Sequence, residues 1–264
     1  MAVSSQGEPR AALPQRMGNI MFPTHPADTP EGAREYKVLP RPWAVLGFQY
    51  RGRLSVVRES GAELLGRSGI TGLQHEFRLF QPQPRTSTII VNLKPQAAYR
   101  LLGCPMDELA NDHVPLDAIL NGSTVRELER RIAEAPSIDE AAHIISAFVT
   151  RMYEGSRYRE HRAVAAVVDD IIVRSGARPI EQLAADAGLS RRHLERLFRV
   201  QVGVSPKRLA SIARFDWAAG QLAAGRRPSD LAYDAGYADQ AHFIRSFARQ
   251  AGVTPGAAAR DRPD

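Results

Sequence analysis

At 264 residues the chain exceeds one typical domain of about 100 to 200 residues, so two domains are expected. With 44% hydrophobic and 24% charged residues it is not a largely disordered chain, and no apolar run is long enough to cross a membrane. Residues 156–264 carry 18 Lys and Arg against 12 Asp and Glu, while residues 1–155 carry 17 of each, so the whole net charge of +6 lies in the C-terminal part. A basic module beside a neutral one is the asymmetry of a nucleic-acid-binding protein. The single cysteine, Cys104, excludes an internal disulfide framework and a multi-cysteine zinc site. No basic-then-apolar leader opens the sequence, and a reduced, cytoplasmic protein is expected.

Residues 1–34 contain Pro9, Pro14, Pro23, Pro26 and Pro30 with little apolar periodicity and are expected to form a flexible tail. From Tyr36 to Leu93 the pattern changes to short β-like runs. Trp43–Tyr50 and Leu54–Val57 flank Arg51-Gly52-Arg53, which predicts a hairpin. Thr71–Phe80 partly alternates, and Thr88–Leu93 is β-branched and apolar. Pro82, Pro84 and Pro95 punctuate these runs, since proline cannot continue a central ladder.

Helices follow the sheet. Pro95–Leu102 predicts a short one stopped by Gly103. Val125, Leu128 and Ile132 recur at helical spacing. Ser137-Ile138-Asp139-Glu140 fits a capping box, in which serine and glutamate satisfy otherwise orphaned amides. The helix it opens carries Ile144, Ile145, Phe148, Val149 and Met152, a stripe that packs on the sheet or, as the second reading, forms a dimer seam. Residues 35–155 thus read as a β-rich domain with helices. The polar run Gly155–His161 is the expected linker to an all-α domain at 160–264, which makes the fold class α+β.

The C-terminal part nearly repeats itself. Leu183-Ala184-x-Asp186-Ala187-Gly188-Leu189 recurs as Leu231-Ala232-x-Asp234-Ala235-Gly236-Tyr237. His193-Leu194-x-Arg196-x-Phe198 recurs as His242-Phe243-x-Arg245-x-Phe247, and Gly203-Val204-Ser205-Pro206 as Gly252-Val253-Thr254-Pro255. Each copy parses as helix, tight turn, helix. Alanines allow a close crossing, Gly188 and Gly236 can take positive φ at the turn, and Ser190 and Asp239 can cap the second helix. Between the copies, Pro206–Ala224 reads as one long helix ended by Gly225. Two helix-turn-helix units joined by a helix, in a basic region, form a DNA-binding architecture.

This segment, from about residue 165 to 256, resembles the paired helix-turn-helix domain of AraC/XylS-type bacterial transcription regulators. The most specific part is Gly236-Tyr237-x5-Phe243-x-Arg245-x-Phe247-x4-Gly252-Val253-Thr254-Pro255. Ala241, Ala248 and Ala258 depart from the family pattern, where serine, a basic residue and an aromatic are usual. The resemblance implies an N-terminal domain with a regulatory or dimerisation role, a cytoplasmic activator, and as partners double-stranded DNA, RNA polymerase, a second copy of the chain and a small-molecule effector.

The second helix of each unit should enter the major groove with its early residues at base edges. Arg192 and Arg196 suit guanine, Gln240 adenine and Arg245 guanine; Glu195 and His242 complete the base-reading set. Glu195 has a second reading as the partner that holds an arginine. His193 is expected to pack at the helix interface. Phosphate contacts are assigned to Arg191, Arg199, Lys207, Arg208 and Arg249, with Arg174, Arg214 and Arg226 as further candidates, any of which can instead serve an internal ion pair. His75-Glu76 has no second histidine nearby, so neither metal nor cofactor is expected. No Gly-rich phosphate loop, His-Glu-x-x-His run or nucleophile-elbow serine is present, and Cys104 reads as a small core residue, so no catalytic residue is assigned. The rival readings at this point are a helical protein–protein adaptor and an enzyme with an unrecognised N-terminal site.

Overall fold

The computed structural model describes residues 12–21, 35–237 and 239–260. Two antiparallel sheets build the N-terminal domain. Strands β1 (Gly18–Met21), β3 (Ala44–Arg51), β6 (Ser68–Thr71), β8 (Ser87–Leu93) and β9 (His113–Pro115) form the first, in the order β1-β8-β3-β6-β9. Strands β2 (Tyr36–Val38), β4 (Leu54–Arg58), β5 (Gly61–Leu64) and β7 (Arg78–Pro82) form the second, in the order β2-β7-β4-β5. Helices α1 (Pro95–Leu102), α2 (Gly122–Glu134) and α3 (Ile138–Gly155) cover the first sheet. Leu46, Phe48, Ile70, Ile89, Val91 and Leu93 point to them and meet Ala98, Leu128, Ile145 and Val149 in one core. Fold class and the helix boundaries at Pro95, Leu102 and Ser137 agree with expectation. Gly103 ends α1 at φ 72°, and the Ser137 hydroxyl accepts from the Glu140 amide at 3.2 Å. Ile145 and Val149 are buried, while Ile144, Phe148 and Met152 lie half-buried against the same core, so the stripe on α3 packs within the chain's own fold.

The hairpin expected around Gly52 does not form. β3 pairs with β6 and β8, whereas β4 pairs with β5 and β7, so the chain leaves one sheet for the other at this turn. The register of β3 against β8 breaks between Gln49 and Arg51, and Gly52 follows at φ 61° against the backbone of Thr86, where a Cβ would sit 2.7 Å from a Cα. A bulge and a glycine turn the corner that alternation alone cannot reveal. Within Thr71–Phe80 only the ends are strand.

Part of the expected tail is also structured. Met17 and Ile20 are buried in the domain core, and β1 adds to the edge of the sheet beside β8. The reason is apolar burial plus an otherwise unpaired strand edge. Residues 1–11 and 22–34 lie outside the described residues.

The C-terminal domain consists of α4 (Arg162–Val173), α5 (Ile180–Asp186), α6 (Arg191–Val202), α7 (Pro206–Ala223), α8 (Pro228–Asp234), α9 (Gln240–Ala251) and α10 (Pro255–Arg260). The repeat folds as two small cores. Leu183, Leu194, Phe198, Val202 and Leu209 build the first, and Phe215, Leu231, Tyr237, Phe243 and Phe247 the second.

Each of these cores also receives an N-terminal residue. Leu73 is buried in the first, and Leu39 packs on the second. Among the described residues three ion pairs join the domains: Lys94–Asp169 at 2.6 Å, Arg199–Asp107 at 2.7 Å and Arg41–Asp216 at 3.3 Å. Both C-cap glycines of the repeat abut the N-terminal domain. A Cβ on Gly203 would lie 2.5 Å from the Met106 carbonyl oxygen, and one on Gly252 would lie 2.3 Å from the Phe77 ring. Gly188, by contrast, has open space around it at φ 66°. Gly188→Ala is therefore expected to cost about 1–2 kcal/mol, the left-handed penalty alone. Gly203→Ala, at φ 89° and against backbone, should cost clearly more. Urea unfolding of the two variants checks this, and equal losses would mean that the Met106 contact yields freely.

Candidate nucleic-acid interface

Local chemistry sets both recognition helices. At α6 the Ser190 hydroxyl accepts from the His193 amide at 3.3 Å, and at α9 the Asp239 carboxylate accepts from the His242 amide at 2.6 Å. Each cap satisfies an amide that the first turn leaves orphaned, and Asp239 adds a negative charge where the helix dipole favours one. Gly188 and Gly236, at φ 66° and 70°, make the turns that precede them. Leu194 and Phe198 in α6, and Phe243 and Phe247 in α9, are fully buried and fix how each helix rolls on its core.

That roll leaves Arg192, His193, Glu195 and Arg196 exposed on α6, around a shallow groove with Ser190 and Arg199. Arg192 and Arg196 share one helix face, being four residues apart, and neither has an ion-pair partner among the described residues. His193 is exposed and does not pack at the helix interface as expected. The apolar positions that face the core are Leu194 and Phe198, on the other side of the helix. On α9, Gln240, His242 and Arg245 are exposed, and the His242 ring stands edge-on to Tyr237 at 5.3 Å.

Several arginines assigned to phosphate are occupied. Arg191 donates to Glu181 at 2.7 Å and to Glu195 at 3.0 Å, so Glu195 has the arginine-holding place. Arg199 reaches across to Asp107. Arg174 pairs with Asp170 at 3.2 Å and Arg226 with Asp234. Arg214 is half-buried: it donates to the Gly176 carbonyl at 2.8 Å and lies over the Tyr237 ring. Lys207 and Arg208, in the first turn of α7, and Arg249, near the end of α9, are exposed with no side-chain partner among the described residues.

The sequence allowed Arg226 an internal ion pair with Asp186 or Asp234, and only its counterpart in the first copy, Arg178, escaped the reading. Arg178 pairs with Asp186 at 2.5 Å, and Arg226 pairs with Asp234 in the same relation in the second copy. The matched spacing of an arginine eight residues before each repeated aspartate was its visible signal. Each pair ties the approach to the first helix of a unit to that helix's end.

Cys104 is half-buried, and burial pushes its thiol above the ordinary range, which disfavours the thiolate a nucleophile needs. The N-terminal domain meets the recognition helices near their C-terminal ends, at Arg199, Gly203, Gln250, Ala251 and Gly252. In the early turns, which a helix-turn-helix presents to base edges, Arg191, Arg192, His193, Gln240 and His242 are exposed.

A helix-turn-helix domain family matches residues 183–261, and a domain family of unknown function matches residues 21–115. No curated protein matches the chain. Among solved structures it is similar to ToxT from Vibrio cholerae, at 11% identity and a TM-score of 0.49, over 94% of this chain and 98% of that one. Unsaturated-fatty-acid-bound ToxT aligns at 12% identity and a TM-score of 0.48, over 96% and 97%. The AraC-like transcriptional activator CuxR aligns at 18% identity and a TM-score of 0.26, over 69% and 71%. With two capped helix-turn-helix units, matched in order and joined by one helix, residues 183–261 form a helix-turn-helix domain.

Proposed function

We propose that the chain reads a specific DNA sequence with the early turns of α6 and α9, set in successive major-groove segments, and that its N-terminal domain controls this binding. The observation that carries the reading is the division of each recognition helix. Its C-terminal end is gripped by the N-terminal domain, and its N-terminal half is bare, with Arg192 and Arg196 on one helix and Gln240 and Arg245 on the other. Lys207, Arg208 and Arg249 supply phosphate contacts around them. Arg191 and Arg199 can join only by giving up their carboxylates. Control enters through a small-molecule effector or pairing of two copies, and an activator of this kind contacts RNA polymerase.

Full-length protein titrated against a genomic duplex pool should bind with affinity that falls linearly in log salt, by about 0.9 log units per log unit of salt for each phosphate contacted. Binding that ignores salt would instead favour the helical-adaptor reading.

A further inference from the structure

The two cores of the C-terminal domain meet along α7, and one side chain spans the border between them. Ala213 belongs to the first core and Phe215 to the second. Arg214, between these two, reaches both units. Its guanidinium donates to the Gly176 carbonyl at 2.8 Å, in the turn that follows α4. Its Cζ stands 5.4 Å from the centre of the Tyr237 ring, in the turn that precedes α9. Both ends of this bridge are fixed. α4 gives Val164, Val168 and Ile171 to the first core. The Gly176 turn lies so close to α7 that a Cβ there would come within 2.3 Å of the Ala210 carbonyl oxygen, one helical turn before Arg214. At the other end Tyr237 is buried and packs on Phe243 at 5.2 Å and on the His242 ring at 5.3 Å, both in the first turn of α9. Arg214 thus touches the ring on which the start of the second recognition helix rests. A planar cation can donate along its edge and offer its face to an aromatic ring, so one guanidinium serves both contacts.

The repeat separates this bridge from what a single unit needs in order to fold. α7 stands to the second unit as α4 stands to the first, and the matching stretch of α4, residues 163–167, reads Ala-Val-Ala-Ala-Val. Tyr237 is matched by Leu189. A Cβ on Gly188, beside that leucine, would meet nothing within 4 Å, whereas one on Gly236 would lie 4.0 Å from the Arg214 Nε. The first unit therefore folds with no arginine over its turn. The second has one, and the far end of that arginine is in the first unit. The Nε is also buried with no acceptor among the described residues, a cost that a residue kept for packing alone would not carry.

We propose that Arg214 is a positioning residue: it locks the roll of the second unit about α7 against the first unit, and so sets the spacing and helical phase of the two DNA segments that α6 and α9 occupy together. A long helix bends, and a side chain bonded to both units removes that freedom. The setting matters because one added base pair moves a DNA segment by about 3.4 Å along the axis and about a tenth of a turn around it. The role in spacing rests on the DNA reading given above. The lock itself does not, so the first arm of the test uses no DNA.

In that arm full-length protein carries paramagnetic labels at Ala185→Cys on α5 and Tyr233→Cys on α8, matched positions that are both exposed. Cys104→Ser removes the one native thiol. With Arg214 in place the distribution of label-to-label distances should be narrow. Arg214→Ala and, separately, Tyr237→Leu give the second copy residue types of the first, and each should broaden it; either suffices if the other does not fold. The second arm uses duplexes that the wild type selects from a random pool, each compared with a version holding one or two extra base pairs between the contacted segments. The insertion should weaken wild-type binding about tenfold or more, and binding by the two variants clearly less. A residue that only stabilises the fold would lower the melting temperature and leave both the distance width and the insertion penalty unchanged. Widths equal to the wild type's in both variants overturn the proposal and place the hold in the N-terminal contacts at Gly203 and Gly252. A broad distribution in the wild type also overturns it, as does a full insertion penalty in the variants. If no duplex is selected, the DNA reading fails, and the distances alone decide the lock.

Discussion

Phe247→Ala is expected to destabilise the second helix-turn-helix unit by about 3–5 kcal/mol, the range for truncating a buried aromatic. The Phe247 ring lies 5.0 Å from Phe215 on α7 and 5.8 Å from Phe243 on its own helix, and it is 1% exposed. Alanine there removes the contact between the linking helix and the recognition helix. The second core is small, so little can collapse into the void. The first unit has a separate core and should keep its own transition. Hydrogen exchange should show α8 and α9 losing protection while α5 and α6 retain theirs. A uniform loss across both units would mean that they unfold as one body.

The second prediction separates two cationic roles. Arg196 stands one turn into α6, four residues from Arg192, opposite the buried Leu194 and Phe198. Its fork has no carboxylate to leave among the described residues, so it is free to pair with a guanine edge. Arg196→Ala should lose about 1–3 kcal/mol at one base position and relax preference there. Lys207 sits at the start of α7, beside Pro206 and the Ser205 cap. Its loss should weaken all duplexes nearly equally and lower the salt slope by about one unit. Both variants are titrated against specific and scrambled duplexes at several salt concentrations. If Arg196→Ala weakens both duplexes by one factor, α6 does not read bases through that residue.

These effects bear on how the two domains work together. The N-terminal domain touches each recognition helix at its glycine C-cap, through Met106 for one and Phe77 for the other. Both contacts come from one domain, so its docking touches the C-terminal ends of α6 and α9 together. Arg199 shares in this, because its guanidinium is paired with Asp107 of the N-terminal domain.

The C-terminal architecture was legible in the sequence because its determinants are local. Ser190, Asp239, Ser205 and Thr254 cap helices from within their own turns, and Gly188 and Gly236 need only a positive φ. Repetition doubled each of these signals. The exposed faces of α6 and α9 followed from the same periodicity that buried Leu194, Phe198, Phe243 and Phe247. The N-terminal topology was not legible. Alternation marks a strand but not its partner, so Trp43–Tyr50 and Leu54–Val57 read as a hairpin although they belong to different sheets. Nor did a proline-rich run announce that Gly18–Met21 would find the free edge of β8. Partner choice among arginines was hidden for the same reason. Arg199 and Arg214 look alike in a helical pattern, yet one meets Asp107 from the other domain and the other is drawn under Tyr237. Capping, turn geometry and helical burial act over a few residues and were determined by the sequence itself. Strand pairing, ion pairing and domain docking join groups far apart along the chain, and only the tertiary structure decided them.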